Sequence, residues 1–247
     1  MLTREDLERY DRQIRYEGFG EDGQRKLKAS HVVVAGVGGI GCPASMYLAC
    51  AGVGRITVID HEYVDLSNLN RQVLHWEEDV GGQKAVSAAT KLKRLNRSIE
   101  VEPITAEITG ANAGHLIRGA SAVLDAMDNF ETRAILNQAC VVEGIPFIHG
   151  GVWGLCGQVT TIIPGKTPCL ACIYPQRPEE HRPFPVFGVT PAMVAITQVI
   201  EAIKLIAGFG RLLAGQMLYI NQATMDFCFR EVLRRPDCPV CGNRSEG

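Results

Sequence analysis

Val32-Val33-Val34-Ala35-Gly36-Val37-Gly38-Gly39-Ile40-Gly41 opens the stretch that decides the fold, and Arg55-Ile56-Thr57-Val58-Ile59-Asp60 closes it. An apolar run of strand length meets a glycine turn. A small apolar segment, Ala44 to Ala51, follows, with Pro43 in the first turn of the expected helix, where a missing N–H costs little. Gly52 and Gly54 end it, and a second apolar run closes on an acid. Gly36, Gly38 and Gly41 stand at G-x-G-x-x-G spacing, and Asp60 lies 19 residues beyond Gly41. Such glycines let the backbone turn tightly and let a phosphate approach a helix N-terminus. The acid can accept hydrogen bonds from ribose hydroxyls. A glycine motif alone is a weak signal, but here the flanking strands and the acid are in place. A nucleotide site is therefore expected.

Upstream, Thr3 with Asp6 three residues on predicts a helix from Thr3 to Ile14, and a second short helix is expected from Glu21 to Ala29. Downstream, His61 to Gly82 is too long for an ordinary strand-to-helix connection, and long connections in compact domains tend to be functional. An amphipathic helix is predicted from Gln83 to Leu95, a strand from Ile99 to Ile104, a helix from Ala111 to Arg118 and a strand at Ala122–Ala126. A helix from Phe130 to Glu143 and a strand at Pro146–His149 complete the alternation, which predicts a parallel sheet with helices on both faces. Near Gly150 the composition shifts. Gly150 to Pro164 and the stretches 216–222 and 225–233 read as antiparallel strands, with a proline-rich loop and a long apolar helix, Val189–Ala207, between them. The expected fold class is α/β: a Rossmann-like, mostly parallel sheet followed by an antiparallel extension and a four-cysteine zinc site. A single domain is expected, with N-terminal helices over 1–30, a nucleotide-binding part over 31–150 and a second part over 151–247.

Apolar residues make up 46% of 247, enough for a substantial core, and the net charge of −2 gives no reason to expect nucleic acid or an anionic membrane. The N-terminus is charged and lacks the apolar core of a signal peptide, so a cytoplasmic protein is expected. In the long helix Gln198, Glu201 and Lys204 form one narrow polar stripe, as in a core or subunit-interface helix rather than a membrane span. Of nine cysteines, four form two C-x-x-C pairs, Cys169/Cys172 and Cys238/Cys241. Four thiolates at about 2.3 Å suit tetrahedral Zn²⁺ with no open position. A redox role would explain one pair and leave the other idle. The remaining five (Cys42, Cys50, Cys140, Cys156 and Cys228) lie in apolar patterns and are expected to be buried as small hydrophobes.

Arg12, Arg71, Lys84 and Asp128 are scattered in sequence. Asp60 and Asp128 end strands, and ligands of open α/β sheets gather there. Two or three cations with an acid suit a triphosphate plus Mg²⁺, because cations neutralise a leaving pyrophosphate and a carboxylate holds metal. An NAD-dependent oxidoreductase would share the glycine turn and Asp60 but leave the cations and Asp128 without a role. A catalytically silent scaffold would use none of them.

The motifs Arg9-Tyr-Asp-Arg12-Gln13, Gly36-x-Gly-Gly-x-Gly41, Asp60, Ser67-Asn-Leu-Asn-Arg71-Gln72, Lys84, Asp128-Asn-Phe-Glu-Thr-Arg133, Gly157-Gln158-Val159 and the two cysteine pairs run in order through nearly the whole chain. In them the chain resembles the ubiquitin-activating-enzyme-like adenylyltransferases, the MoeB/ThiF/HesA family. The resemblance implies a homodimer that uses ATP and Mg²⁺ to adenylate the C-terminal glycine of a small ubiquitin-like sulfur-carrier protein. Gly36, Gly38, Gly39, Gly41 and Asn129 would line the nucleotide. Asp60 would hold the ribose, Asn68, Arg71 and Lys84 the phosphates, and Asp128 the Mg²⁺. Arg12 would contact phosphate too, reaching into the partner's site. Gly150 to Pro164 and the proline-rich loop could form the groove for the carrier's tail. Family members that form a covalent link to the carrier have a cysteine in that loop, and Ile173–Gly188 has none. Adenylation alone is thus expected, with sulfur supplied by another protein in molybdopterin, thiamine or related synthesis. Within the family, adenylation of a small-molecule or RNA-base carboxylate is the alternative. His181, in the same loop, is read as surface and given no role.

Overall fold

The computed structural model describes residues 1–179 and 183–242; His181 lies outside them. The helices are α1 Arg4–Arg9, α2 Asp11–Ile14, α3 Gly20–Ala29, α4 Gly41–Ala51, α5 Lys84–Leu95, α6 Ala113–Ile117, α7 Phe130–Glu143, α8 Leu170–Ile173 and α9 Val189–Ala207. The strands are β1 His31–Ala35, β2 Arg55–Ile59, β3 Glu100–Ile104, β4 Ala122–Asp125, β5 Phe147–Trp153, β6 Cys156–Ile162, β7 Gln216–Asn221 and β8 Asp226–Glu231. They form one eight-stranded sheet in the order β3-β2-β1-β4-β5-β6-β7-β8. Pairings from β3 to β5 are parallel and those from β5 to β8 antiparallel. The sheet runs unbroken through Gly150, because β5 pairs with β4 on one side and β6 on the other.

β1 is central, with Val32 opposite Ile56 of β2 and Ala122 of β4. Its side chains alternate between two cores. Val32 and Val34 pack with residues of α4, α5 and α9, while Val33 and Ala35 pack with residues of α6, α7 and α8. Coverage of both faces explains why β1 and β2 read as almost unbroken apolar runs.

Thr3 to Ile14 is two helices rather than one. The predicted capping box forms between Thr3 and Asp6. The first helix stops at Tyr10, which is 3% exposed and accepts a 2.9 Å hydrogen bond from the Asn96 amide. Burying that ring beside Gly52 breaks the helical path. The cysteine expectation also needs correction. Cys42 and Cys140 are buried, but Cys50, Cys156 and Cys228 are exposed. Cys156 starts β6 beside a hairpin, Cys228 lies on the edge strand, and Cys50 sits on the open side of α4 in its last turn. An apolar neighbourhood in sequence does not say which face of an element is covered.

α9 is long and apolar enough to cross a membrane by length and composition, yet it packs along β5, β6, α3 and α4. Its polar stripe points inward. Gln198 Nε2 donates to the carbonyls of Asp125 and Ile148, each at 2.8 Å. Glu201 Oε2 accepts from Thr161 Oγ1 at 2.6 Å and the Leu213 amide at 2.7 Å, and its other oxygen pairs with Lys204. These groups satisfy strand carbonyls, a strand hydroxyl and a loop amide that the ladder leaves over. The outward side carries Val189, Ile196 and Ile200, all exposed.

Candidate active site

Strand order reverses between β1 and β4, since β1 leads to β2 on one side while β4 leads to β5 on the other. A crevice opens outside the carboxyl ends of such neighbours. Here it is a cleft of about 1500 Å³. Gly36, Gly38, Gly39, Asp60, Asn68, Arg71, Lys84, Asp128 and Asn129 all line it.

Gly36 has φ +91°, and a Cβ there would meet the Ala126 carbonyl at 2.6 Å. Gly41 does not line the cleft. It starts α4, and a Cβ on it would lie 1.9 Å from the Gly36 oxygen. Its task is to let the helix N-terminus close on the turn. Arg12, exposed on α2, is not among the lining residues either. Six of the expected nucleotide contacts come together with three glycines, and Arg12 stands apart from them within its own chain.

Asp60 shapes the turn as well as facing the cleft. Its Oδ2 accepts the Val37 N–H at 2.8 Å and its Oδ1 the Glu62 N–H at 2.9 Å. Asn68 and Arg71 lie on the connection after β2. Asp65 nucleates a short 3₁₀ turn there, accepting the Ser67 amide, while Asn68 Oδ1 accepts the Asp65 amide in return. Arg71 Nη1 donates to the Ser67 carbonyl at 2.8 Å and to Asn70 Oδ1 at 2.9 Å, so its guanidinium is held before any ligand arrives. Lys84, at the start of α5, is 4% exposed and its Nζ lies 2.5 Å from Glu62 Oε2. Asp128 follows β4. Asn129 Oδ1 accepts the Thr132 amide and caps α7, and its Nδ2 reaches Asp128 Oδ1 at 3.4 Å. The N-termini of α4 and α7 thus face one crevice, and each favours negative charge.

Residues given no individual role from sequence complete the wall. Gln72 is 4% exposed, lines the cleft, and its Oε1 has no partner among the described residues. Arg133 donates to the Met127 carbonyl, with its Nε 3.7 Å from Asp125. Behind it, fully buried His149 hydrogen-bonds Asp125 at 2.6 Å, and burial holds its pKa down despite that carboxylate. Gln158 bridges to Tyr174. The far wall is Gly151, Trp153, Cys156 and Gly157, faced by Pro183, Phe184 and Val186. Trp153 stacks on Phe184 at 6.0 Å and 19°, and the Gly154 amide donates to the Pro185 carbonyl at 2.8 Å. Lone Gln, Trp and Tyr residues carry no spacing signal. Gln72, Arg133, Gly157 and Gln158 sat inside motifs that could have flagged them.

Away from the cleft, the sulfurs of Cys169, Cys172, Cys238 and Cys241 all lie within 4.8 Å of one another. The Cys169–Cys238 and Cys172–Cys241 pairs are 3.6 and 3.4 Å apart. A tetrahedral Zn–S₄ centre has an edge of about 3.8 Å, so the set fits one ion. The Arg235 amide points at Cys172 Sγ at 3.4 Å. Burial works against a Cys238 thiolate, but the Cys241 and Val240 amides outweigh it and bring the thiol down to about 7.

A glycine turn, cations and an exposed acid along one roomy cleft fit a nucleotide, and the relatives place the chain in the adenylyltransferase class. The ThiF family model matches residues 10–240, and the chain belongs to that family. It is 43% identical over 243 residues to the SAMP-activating enzyme E1 of Haloferax volcanii, covering 96% of this chain and 89% of that one. To the sulfur carrier protein adenylyltransferase of Thermus thermophilus it is 40% identical over 251 residues, covering 98% and 93%. Among solved structures, E. coli MccB with ATP superposes with a TM-score of 0.85 at 29% identity, over 95% of this chain and 73% of that one.

Proposed function

We propose that the chain uses ATP and Mg²⁺ to adenylate the C-terminal glycine of a small ubiquitin-like sulfur-carrier protein, releasing pyrophosphate. One observation carries this reading: the glycine turn, Arg71, Lys84 and Asp128 share a cleft whose opposite wall is a glycine-containing hairpin and a proline-rich loop. At about 1500 Å³ it exceeds the roughly 1000 Å³ upper range of ordinary small-molecule pockets, leaving room for a peptide tail beside a nucleotide. The sulfur-carrier and SAMP-activating relatives support the partner class, and MccB with ATP supports the nucleotide.

In this reading the glycine-turn amides and Asn68 cradle the phosphates, Asp60 takes the ribose, and Asn129 borders it. Asp128 would hold Mg²⁺, which would neutralise charge on the phosphates. A carboxylate oxygen of the carrier attacks the α-phosphorus and the bond to pyrophosphate breaks. Arg71 and Lys84 stabilise the leaving charge, so catalysis is positioning and electrostatics with no protein nucleophile. The four cysteines would hold a structural Zn²⁺. The protein would act in the cytoplasm as a homodimer. The exposed apolar side of α9 supports pairing, and a pair would let exposed Arg12 reach the partner's cleft. A separate donor would bring sulfur.

Pyrophosphate exchange into ATP, with and without carriers ending in Gly-Gly, tests the reading. Exchange that depends on a carrier is expected. No exchange with any carrier, combined with NAD binding, would sink it.

A further inference from the structure

The connection that carries Asn68 and Arg71 continues into His75, which is 3% exposed and lies between the glycine turn and α5. Its Nε2 is 2.9 Å from the Val37 carbonyl oxygen, and its Nδ1 is 2.9 Å from Ser87 Oγ. A carbonyl oxygen only accepts, so Nε2 carries the proton; in the neutral ring Nδ1 then accepts from the Ser87 hydroxyl. Burial, above all, keeps the ring neutral. The Val37 carbonyl and Asp79 favour the proton, Lys84 and Lys91 oppose it, and the net effect is a lowered pKa. Ser87 in turn accepts from Lys91 Nζ at 3.0 Å, and Lys91 pairs with Asp79. One hydrogen-bonded chain therefore runs from Asp79 to the glycine turn. It passes through α5, the helix that begins with Lys84.

Val37 separates the first two glycines of the turn. Its N–H is held by Asp60, and its carbonyl also receives Cys42 Sγ at 3.1 Å. A trans peptide is planar, so the Gly38 N–H points opposite to the Val37 carbonyl. With that carbonyl turned inward to His75, the Gly38 amide is turned the other way, and Gly38 and Gly39 line the cleft. The reverse orientation would aim a carbonyl oxygen where phosphate has to sit.

We propose that His75 is a positioning residue for the nucleotide: it holds the Val37–Gly38 peptide with its N–H toward the phosphates and ties the glycine turn to the helix that carries Lys84. It touches no reacting atom. The inference rests on the ATP reading above.

Equilibrium binding of Mg·ATP, with KM for ATP and for the carrier, separates the possibilities in wild type, H75L, H75Q and S87A. H75L is expected to weaken ATP binding about tenfold or more. H75Q, whose side-chain amide can still donate to Val37, should stay within about threefold. S87A, which loosens the ring without removing the donor, should fall between. KM for the carrier should not move. The inference is overturned if H75L binds ATP like wild type, if H75Q is as damaged as H75L, or if KM for ATP and carrier rise together. Should H75L not fold, S87A decides: unchanged ATP binding overturns the inference, and a selective loss of ATP binding supports it. Wild type that exchanges pyrophosphate while H75L binds normally would sink this inference alone. Wild type that binds no ATP would sink the functional reading with it.

Discussion

The two halves of the sheet are built for different tasks. In β1 and β2 only the first residue is not buried, and in β4 all four are. In β8 all six are exposed. Parallel strands need long crossovers, so helices cover both faces and the connections collect at the carboxyl edge. That edge holds Asp60, Asn68, Arg71, Lys84 and Asp128 on a rigid base. The antiparallel half joins β5 to β6 and β7 to β8 by short hairpins, with α8 and α9 between β6 and β7, and its burial falls away at β8. Its last strand is held by pairing with β7, and the tail beyond it returns to the Cys169–Cys172 segment, where the four cysteine sulfurs meet. The cleft residues sit on the edge that helices cover, while the far end of the antiparallel half, β8 and the tail, leans on one strand pairing and on the four cysteines, a clip if they hold the proposed zinc.

The comparison breaks most visibly at Asp128. Its replacement by Ala should cut pyrophosphate exchange on the order of 10²–10³-fold. The melting temperature should barely change, because the residue is exposed. Exchange at wild-type rates would remove Asp128 from the proposed metal site. Cys238→Ser attacks the other half. Metal analysis should give about one zinc per wild-type chain and less in the variant, with stability lost on the order of several kcal/mol. Limited proteolysis should cut the C-terminal segment before the parallel half. Simultaneous loss of both halves would show that they unfold as one unit, and wild type without zinc would dispose of the clip.

Smaller effects probe how the N-terminal helices attach to the parallel half. Burial would push the Asp6 carboxyl up, but Lys28 and the Thr3 amide and hydroxyl outweigh it and hold it below the ordinary aspartate value. Its pKa is thus lower folded than unfolded. The stability it contributes is whole above the unfolded value and is lost as pH falls through the folded one. Urea melts should show this loss beginning below about pH 4. Asp6→Asn should cost about 2 kcal/mol at neutral pH and flatten the acid slope; an unchanged slope would remove Asp6 as its source. Thr3→Ala should cost about 1 kcal/mol through the lost cap, with exchange unaffected. A fall in exchange beyond the loss of folded protein would mean that the N-terminal helices serve the reaction directly.

Much of this was legible in the chain. The strand–glycine–helix–strand–acid stretch announced β1, α4, β2 and their turn because each step follows local rules of burial period and backbone freedom. The C-x-x-C pairs announced a ligand set because metal spacing is also local. Exposure of Cys50, Cys156 and Cys228 was not legible, since it depends on which face a neighbour covers. Nor was the inward turn of Gln198 and Glu201, which reverses the usual sense of a polar stripe. The break at Tyr10 was hidden because its cause, Asn96 and Gly52, lies far along the sequence.

The sequence by itself determined the class of fold and most of the residues that could handle a nucleotide, since hydrophobic period, turn chemistry and motif spacing are written residue by residue. Tertiary structure alone decided their division of labour. It set Gly41 to packing and put Arg12 outside its own cleft. It gave Asp60 a second task at the Val37 N–H and brought His75 to the carbonyl of the same residue. The physical reason is that a hydrogen bond between residues 38 positions apart exists only once two loops have been folded onto one edge of the sheet.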